Sequence, residues 1–358
     1  MYKLIESSGL ISVIGDFQSN YCILLFQNNT NNDGMMHLAE HYIIKMIYKK
    51  RRLSLYGRTD IDYMYLFFRI PESFPYFLLD DIIEICNTEI SFAEFCDSKE
   101  EVFREIQLSN SQTLEILNFV SDGLIENLPE GNLEKIYESK CSDMQLFLKT
   151  KILNKFSLIY IGDLYNCPTI NVCKNKGNVL NISSFPLFKS YKFVSMYSNC
   201  NKLYIYFDFY YKSQDELDKY LLFKLIFFKY INIQQKFQIF EKPINKNNKL
   251  IYFMLDNVDD YPYLFKAIRS FSKNTFIYIK KNLLDEYDSI DYGSFRLNSL
   301  IEKVVMYKCY GDLDIKYFLD KEKIITALKE FDFNQIDYFI RKIFNNKYRV
   351  IELKKLGD

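Results

Sequence analysis

The chain has 358 residues, of which 49% are hydrophobic and 26% charged, enough apolar surface to exclude a disordered protein. Its 46 Lys and Arg balance 46 Asp and Glu, which argues against a broadly basic nucleic-acid binder while leaving room for a small local patch. At about 150 residues per domain the length predicts two domains.

In chain order, Ile11–Gln27 carries apolar runs suited to a hairpin. Met35–Lys50 reads as a helix, Leu53–Arg69 as strand interrupted near Gly57, and Phe74–Ile90, Asp97–Leu108 and Gln112–Leu128 as helices. Ser142 is a good N-cap for an amphipathic helix, and Ser157–Gly162 is an apolar strand. Asn166–Ser190, rich in Asn, Lys, Ser and Pro around Gly177, reads as a linker. Beyond it, Lys202–Tyr211 contains the strand-forming run Leu203 to Phe207, Asp215–Tyr230 is helical, and Asn334 opens a helix followed by the strand Arg349–Leu353.

An internal repeat links the two ends. Met144, Phe147, Leu148, Ile152 and Asn154-Lys155-Phe156 stand 192 positions before Ile336, Phe339, Ile340, Phe344 and Asn346-Lys347-Tyr348 (336 − 144). With Ser142 matching Asn334 and a strand after each helix, the repeat predicts two tandem domains of one α+β fold. Each would be a mainly antiparallel sheet with helices packed on it. The expected boundaries are 1–165 for the first domain, 166–190 for the linker and 191–358 for the second.

The eight cysteines form no C-x-x-C pair, which leaves zinc knuckles and dithiol redox motifs unsupported and reads as free thiols in a reducing compartment. Met1–Asp16 lacks the pattern of a signal peptide. No apolar run reaches the roughly 18 residues of a membrane span, since Lys224 and Lys229 interrupt Tyr220–Ile231. The expected location is cytoplasmic.

The chain has only two histidines, and both lie in Gly34-Met35-Met36-His37-Leu38-Ala39-Glu40-His41. Two histidines placed at random would fall four apart with a chance of roughly one percent or below. On a helix this spacing puts both imidazoles on one face, about 6 Å apart along the axis, where they can chelate one metal. Glu40 falls on the same broad face and can reach a water beside that metal without being a ligand. The pattern is H-x-x-E-H, the inverted form of the zincin motif.

Gly34–His41 resembles the active-site helix of the insulinase/pitrilysin family of zinc peptidases. The resemblance extends over nearly the whole chain. Tyr56-Gly57-Arg58-Thr59 and Tyr63–Ile70 look like that family's substrate-edge strand, and Pro71–Asn87 like the connection after it. Glu100–Ile106 looks like the helix supplying the third zinc ligand, Ser157–Asp163 like the closing strand of the catalytic domain, and Met306–Phe344 like the final helices of the second. The resemblance implies that His37, His41 and Glu105 bind Zn2+ and that Glu40 is the general base. Glu105 lies 64 positions after His41 (105 − 41), with Glu101 one helical turn earlier as its rival. The family often carries a further acid seven positions before the third ligand; that position is Ser98, so support for the ligands must come from elsewhere. A peptide would lie extended beside Tyr56, Gly57, Arg58 and Thr59 as an added strand.

The second half has no histidine. The family's second domain usually supplies an arginine and a tyrosine to the substrate, and this chain has no Arg between Arg104 and Arg269. A lysine, a partner chain or weak activity are the remaining explanations. Short family members commonly pair, which implies a homo- or heterodimer with a related peptidase-fold chain. The expected function is a zinc metalloendopeptidase for short unstructured peptides, with leader removal from a ribosomally made peptide as one candidate task. The alternatives are a non-catalytic or weakly active partner subunit of such a peptidase, and a metal-sensing or storage protein.

Overall fold

The computed structural model describes residues 3–7, 10–15, 17, 19–27, 34–60, 63–70, 76–108, 116, 119–120, 131–153, 156–168, 188, 190–198, 200–243, 248–289, 297–310, 315 and 319–355. The chain forms two compact units: Met1–Glu115 with Ile125–Val179, and Ile116–Leu124 with Leu180–Asp358. Most of the expected linker, and nearly all of the expected helix Gln112–Leu128, lie outside the described residues.

The first unit runs β1 (Lys3–Ser7), β2 (Leu10–Ile14), β3 (Asn20–Gln27), α1 (Met35–Arg51), β4 (Tyr56–Thr59), β5 (Tyr63–Ile70), α2 (Phe77–Asn87), α3 (Phe92–Leu108), α4 (Leu133–Glu138), α5 (Cys141–Phe147, continued by a π turn, Leu148–Ile152) and β6 (Phe156–Gly162). Its sheet has the order β1-β2-β6-β3-β5-β4. All pairs are antiparallel except β2 with β6.

The expected hairpin over Ile11–Gln27 is therefore not formed. Both strands exist, but β6 lies between them, pairing Leu158 with Leu10 on one side and with Leu24 on the other. Six of the seven β6 residues are buried, from both faces. Such a strand is stable only inside a sheet, and a local hairpin would leave it at an edge.

The second unit runs β7 (Lys192–Ser198), β8 (Lys202–Tyr210), α6 (Gln214–Ile233), β9 (Gln238–Pro243), β10 (Asn248–Leu255), α7 (Tyr261–Arg269), α8 (Lys273–Ser289), α9 (Leu297–Tyr310), α10 (Lys321–Glu330), α11 (Phe333–Phe344) and β11 (Tyr348–Lys355). The sheet order is β7-β11-β8-β10-β9, again with its final strand inserted and parallel to its first. The two units share this topology, β1 being extra to the first. α5 and α11 start 192 residues apart (333 − 141), as do β6 and β11 (348 − 156). Ser142 and Asn334 are not the caps. Asp332 accepts from Gln335 N and Gln335 returns the bond, a capping box that opens α11 two residues earlier. In the first unit the corresponding N-cap is Lys140, whose N–H is taken by Asp143.

Each core lies between sheet and helices. In the first unit α1 is buried on nearly every side of its N-terminal half, Met36 to Ala39 included. The second core is aromatic: Phe209 stacks on Tyr220 at 4.1 Å and Phe207 meets Phe344 edge-on at 5.0 Å. Each fully buried ring of this size contributes about 1.5–3 kcal/mol. Seven cysteines fall among the described residues and all are free thiols. No helix among the described residues is long and apolar enough to cross a membrane.

Candidate metal centre and its edge strand

Helix α1 begins at Gly34 in the left-handed region, φ +97°. A Cβ there would stand 2.7 Å from Gly131 Cα, so a glycine is needed both for conformation and for space. The helix ends on Lys49, Lys50 and Arg51, cations placed favourably at a C-terminus. Arg51 and Lys50 grip the buried Asp81 of α2 at 2.6–2.9 Å and anchor that end. Burial raises the Asp81 pKa, but these bonds outweigh it and hold the carboxyl below its ordinary value.

The histidines meet α3, which runs antiparallel to α1 along one stripe of side chains. His37 Nε2 lies 3.2 Å from Glu105 Oε2, His41 Nε2 3.4 Å from Glu105 Oε1, and the two Nε2 atoms 3.1 Å apart. His37, His41 and Glu105 thus form a group whose donor atoms could hold one metal ion, and no other such group occurs among the described residues. His37 is only 6% exposed, whereas the Glu105 side chain is half exposed, so the group opens outward on the α3 side. Glu101 takes a different place, with Oε2 3.3 Å from His41 Nδ1, the opposite ring nitrogen. The stripe continues away from the histidines through Lys45, with Glu101 and Asp97, and Lys49, with Glu94. Ser98 is fully buried, and its hydroxyl has no partner among the described residues.

Glu40 is 6% exposed and turns toward β4, the last strand of its sheet. Thr59 Oγ1 donates to Glu40 Oε2 across 2.5 Å. A Cβ on Gly57 would overlap Glu40 Oε1, so the absent side chain makes the carboxylate's place. Burial pushes the Glu40 carboxyl above the usual range; Thr59 and His37 pull it down, and Glu105 pushes it up. Tyr56 and Arg58 alternate to the other face of β4. Tyr56 is 63% exposed and stacks on Phe67 at 5.2 Å. Of the four expected strand residues, Gly57 and Thr59 therefore adjoin Glu40 and Tyr56 and Arg58 do not.

Ladder register locates the matching place in the second unit. Leu158 corresponds to Val350 in the 192-residue repeat; the chain Leu158–Leu24–Leu66–Gly57 then matches Val350–Ile205–Phe253–Ile239. Two residues along, Thr59 matches Glu241. Glu241 accepts from the Tyr220 hydroxyl, so Tyr220 of α6 stands where Glu40 stands in α1. The residues three before and one after Tyr220 are Leu217 and Leu221, both buried. The histidine positions are thus filled by leucines. Sequence inspection found no metal group in this half, but not this duplicate site; the signal was the register, which only the paired strands reveal.

No protein-family sequence model matches the chain, and no curated protein sequence matches it. Solved structures do. The first half of the periplasmic protease PqqL from Escherichia coli matches at TM-score 0.73 and 12% identity, over 98% of this chain and 91% of that one. A domain described as an inactive domain of peptidase M16, from Pseudomonas fluorescens, matches at 0.71 and 11%, over 99% and 98%. The fold is that of the insulinase-like M16 peptidases. A protease from Helicobacter pylori also matches, at 0.62 and 13%, over 99% of both chains. This chain covers 47% of full-length PqqL.

Proposed function

We propose that this chain is a zinc peptidase of the insulinase-like fold, acting on short unstructured peptides. The observation that carries the reading is the convergence of His37, His41 and Glu105 beside a buried Glu40 that abuts an edge strand. The donor set fits the ion. Donors bound tetrahedrally at about 2.0–2.1 Å stand about 3.3 Å apart; the two Nε2 atoms here are 3.1 Å apart, each faces one of the two Glu105 oxygens at 3.2 or 3.4 Å, and one donor atom from each residue lies within 4.8 Å of the others. Two imidazoles and one carboxylate also leave a fourth position open.

Zinc bound there would polarise the scissile carbonyl and acidify water. Glu40 would accept the proton of the attacking water on Oε1, the oxygen not engaged by Thr59, and return it to the leaving amine. Its burial, which raises the carboxyl's pKa, suits a group that must take up a proton. The substrate would add to β4, whose outer side has no strand partner among the described residues. That mode needs an extended backbone and so favours flexible peptides over folded proteins. Leader removal from a ribosomally made peptide is one task of this kind.

A second reading, a weakly active or non-catalytic subunit, is favoured by the arginine-free stretch between Arg104 and Arg269. Both readings include a partner chain of the same fold, and full-length PqqL is about twice this length. The free thiols fit a cytoplasmic setting.

Zinc content of the purified protein beside His41→Ala tests the site. Near-stoichiometric zinc, lost in the variant, is expected. A wild type that takes up none after anaerobic reconstitution overturns the zinc reading. Peptide turnover that disappears in Glu40→Gln separates the peptidase from the silent subunit.

A further inference from the structure

The outer support of the metal group is not where the family places it, because position 98 is a serine whose buried hydroxyl points at no partner among the described residues. One ring of the group is nevertheless held from both sides. His41 Nε2 faces Glu105 at 3.4 Å and His41 Nδ1 faces Glu101 at 3.3 Å. The two carboxylates come from successive turns of α3 and are almost equally exposed, so neither burial nor chemistry tells them apart.

Lys45 does. It lies one turn beyond His41 on α1, and its side chain is only 19% exposed. Its Nζ stands 3.2 Å from Glu101 Oε1 and 3.3 Å from Asp97 Oδ2, while the polar contacts of Glu105 are with the two imidazoles. A fixed ammonium draws Glu101 away from the metal position and lowers its value as an inner ligand, since a second cation already shares its charge.

Resting on the zinc reading above, we propose that Glu101 is the outer carboxylate of the centre and that Lys45 is the positioning residue that keeps it there. Glu101 accepts from His41 Nδ1–H, which fixes the tautomer with a lone pair on Nε2 aimed at the ion and orients the ring. The stripe of α1 against α3 is then one device: His37, His41 and Glu105 bind, and Glu101, held by Lys45, sets the geometry of His41.

The test measures zinc affinity of the full chain by chelator competition, with Co2+ absorption as a readout of coordination. Glu101→Ala should still bind one zinc, about 10–100-fold more weakly, with the intense visible bands of a four-coordinate Co2+ site retained but shifted. Glu105→Ala should lose those bands. Lys45→Met should weaken zinc in the wild-type background and have no further effect in Glu101→Ala, the coupling expected of residues that act through one another. Affinity of Glu101→Ala within twofold of wild type overturns the assignment. So does zinc loss as complete as in His41→Ala, which would make Glu101 an inner ligand, and so does an additive Lys45→Met effect. A wild type that binds no zinc instead sinks the zinc reading itself, and this assignment with it.

Discussion

Gly57 lies flush against Glu40: a Cβ on residue 57 would overlap the carboxylate and stand 2.7 Å from its Cδ and Cγ. The strand without a side chain is what admits an acid between α1 and β4. Gly57→Ala must displace either the acid or the strand. Turnover of a peptide substrate is expected to fall about 100-fold or more, since small misplacements of a catalytic group are costly. Zinc content should stay at the wild-type level. Both are measured on one preparation, and an alanine variant with full turnover would show that the strand does not hold the carboxylate.

Glu40→Gln keeps the shape and still accepts the Thr59 hydroxyl through its amide oxygen. It loses the site for the proton. The expected result is retained zinc with turnover reduced by about 10²–10⁴-fold. Stability should not fall, because the variant removes a charge that burial disfavours. A glutamine enzyme that matches wild type in steady-state assays would assign the base elsewhere.

One zinc per chain is expected, not two. The duplicate position in the second unit presents Leu217, Tyr220 and Leu221, none of which offers the nitrogen or carboxylate donors zinc requires. Metal analysis against protein concentration gives the ratio. A value near two in the wild type, both lost on chelation, would contradict the register that equates Tyr220 with Glu40.

The buried ion cluster of the second unit should appear in acid unfolding. Burial pushes the Glu241 carboxyl up, but Lys224, Lys249 and the Tyr220 hydroxyl together hold it down, to about 2 against an ordinary 4.5. A group whose folded pKa is depressed stabilises above its unfolded value and loses that stabilisation as pH falls through the folded one. The window is therefore pH 4.5 down to 2, and the shift corresponds to about 3 kcal/mol. Denaturant unfolding of wild type and Glu241→Gln should differ most above pH 5, and the difference should shrink by roughly that amount toward pH 2. A pH-independent difference would mean that Glu241 is not ionised in the folded state.

The histidine pair was legible in the sequence because His37 and His41 are local: spacing on one helix suffices to bring them together. The 192-residue repeat was legible for the same reason, as it joins two contiguous helix-strand segments. Long-range relations were not. Glu105 came from resemblance, and which nitrogen of His41 meets Glu101 depends on the packing of α3 on α1. The hairpin expected over Ile11–Gln27 failed because nothing near residues 10–27 announces that Phe156–Gly162 will enter between the strands. The capping box at Asp332 was readable from Gln335 three residues on, and Asn334, an equally good capping residue type, obscured it.

The inserted final strand has a consequence for synthesis. Leu10 waits for Leu158, and Ile205 for Val350, so neither sheet can close until almost all of its unit has been made. Until then β2 and β3 in the first unit, and β7 and β8 in the second, present open apolar edges to each other and to neighbouring chains. Long-range pairing of this kind slows folding and prolongs the exposure of aggregation-prone intermediates. A chain truncated before residue 156 would keep His37, Glu40, His41 and Glu105 and still lack the strand that joins β1-β2 to β3-β5-β4.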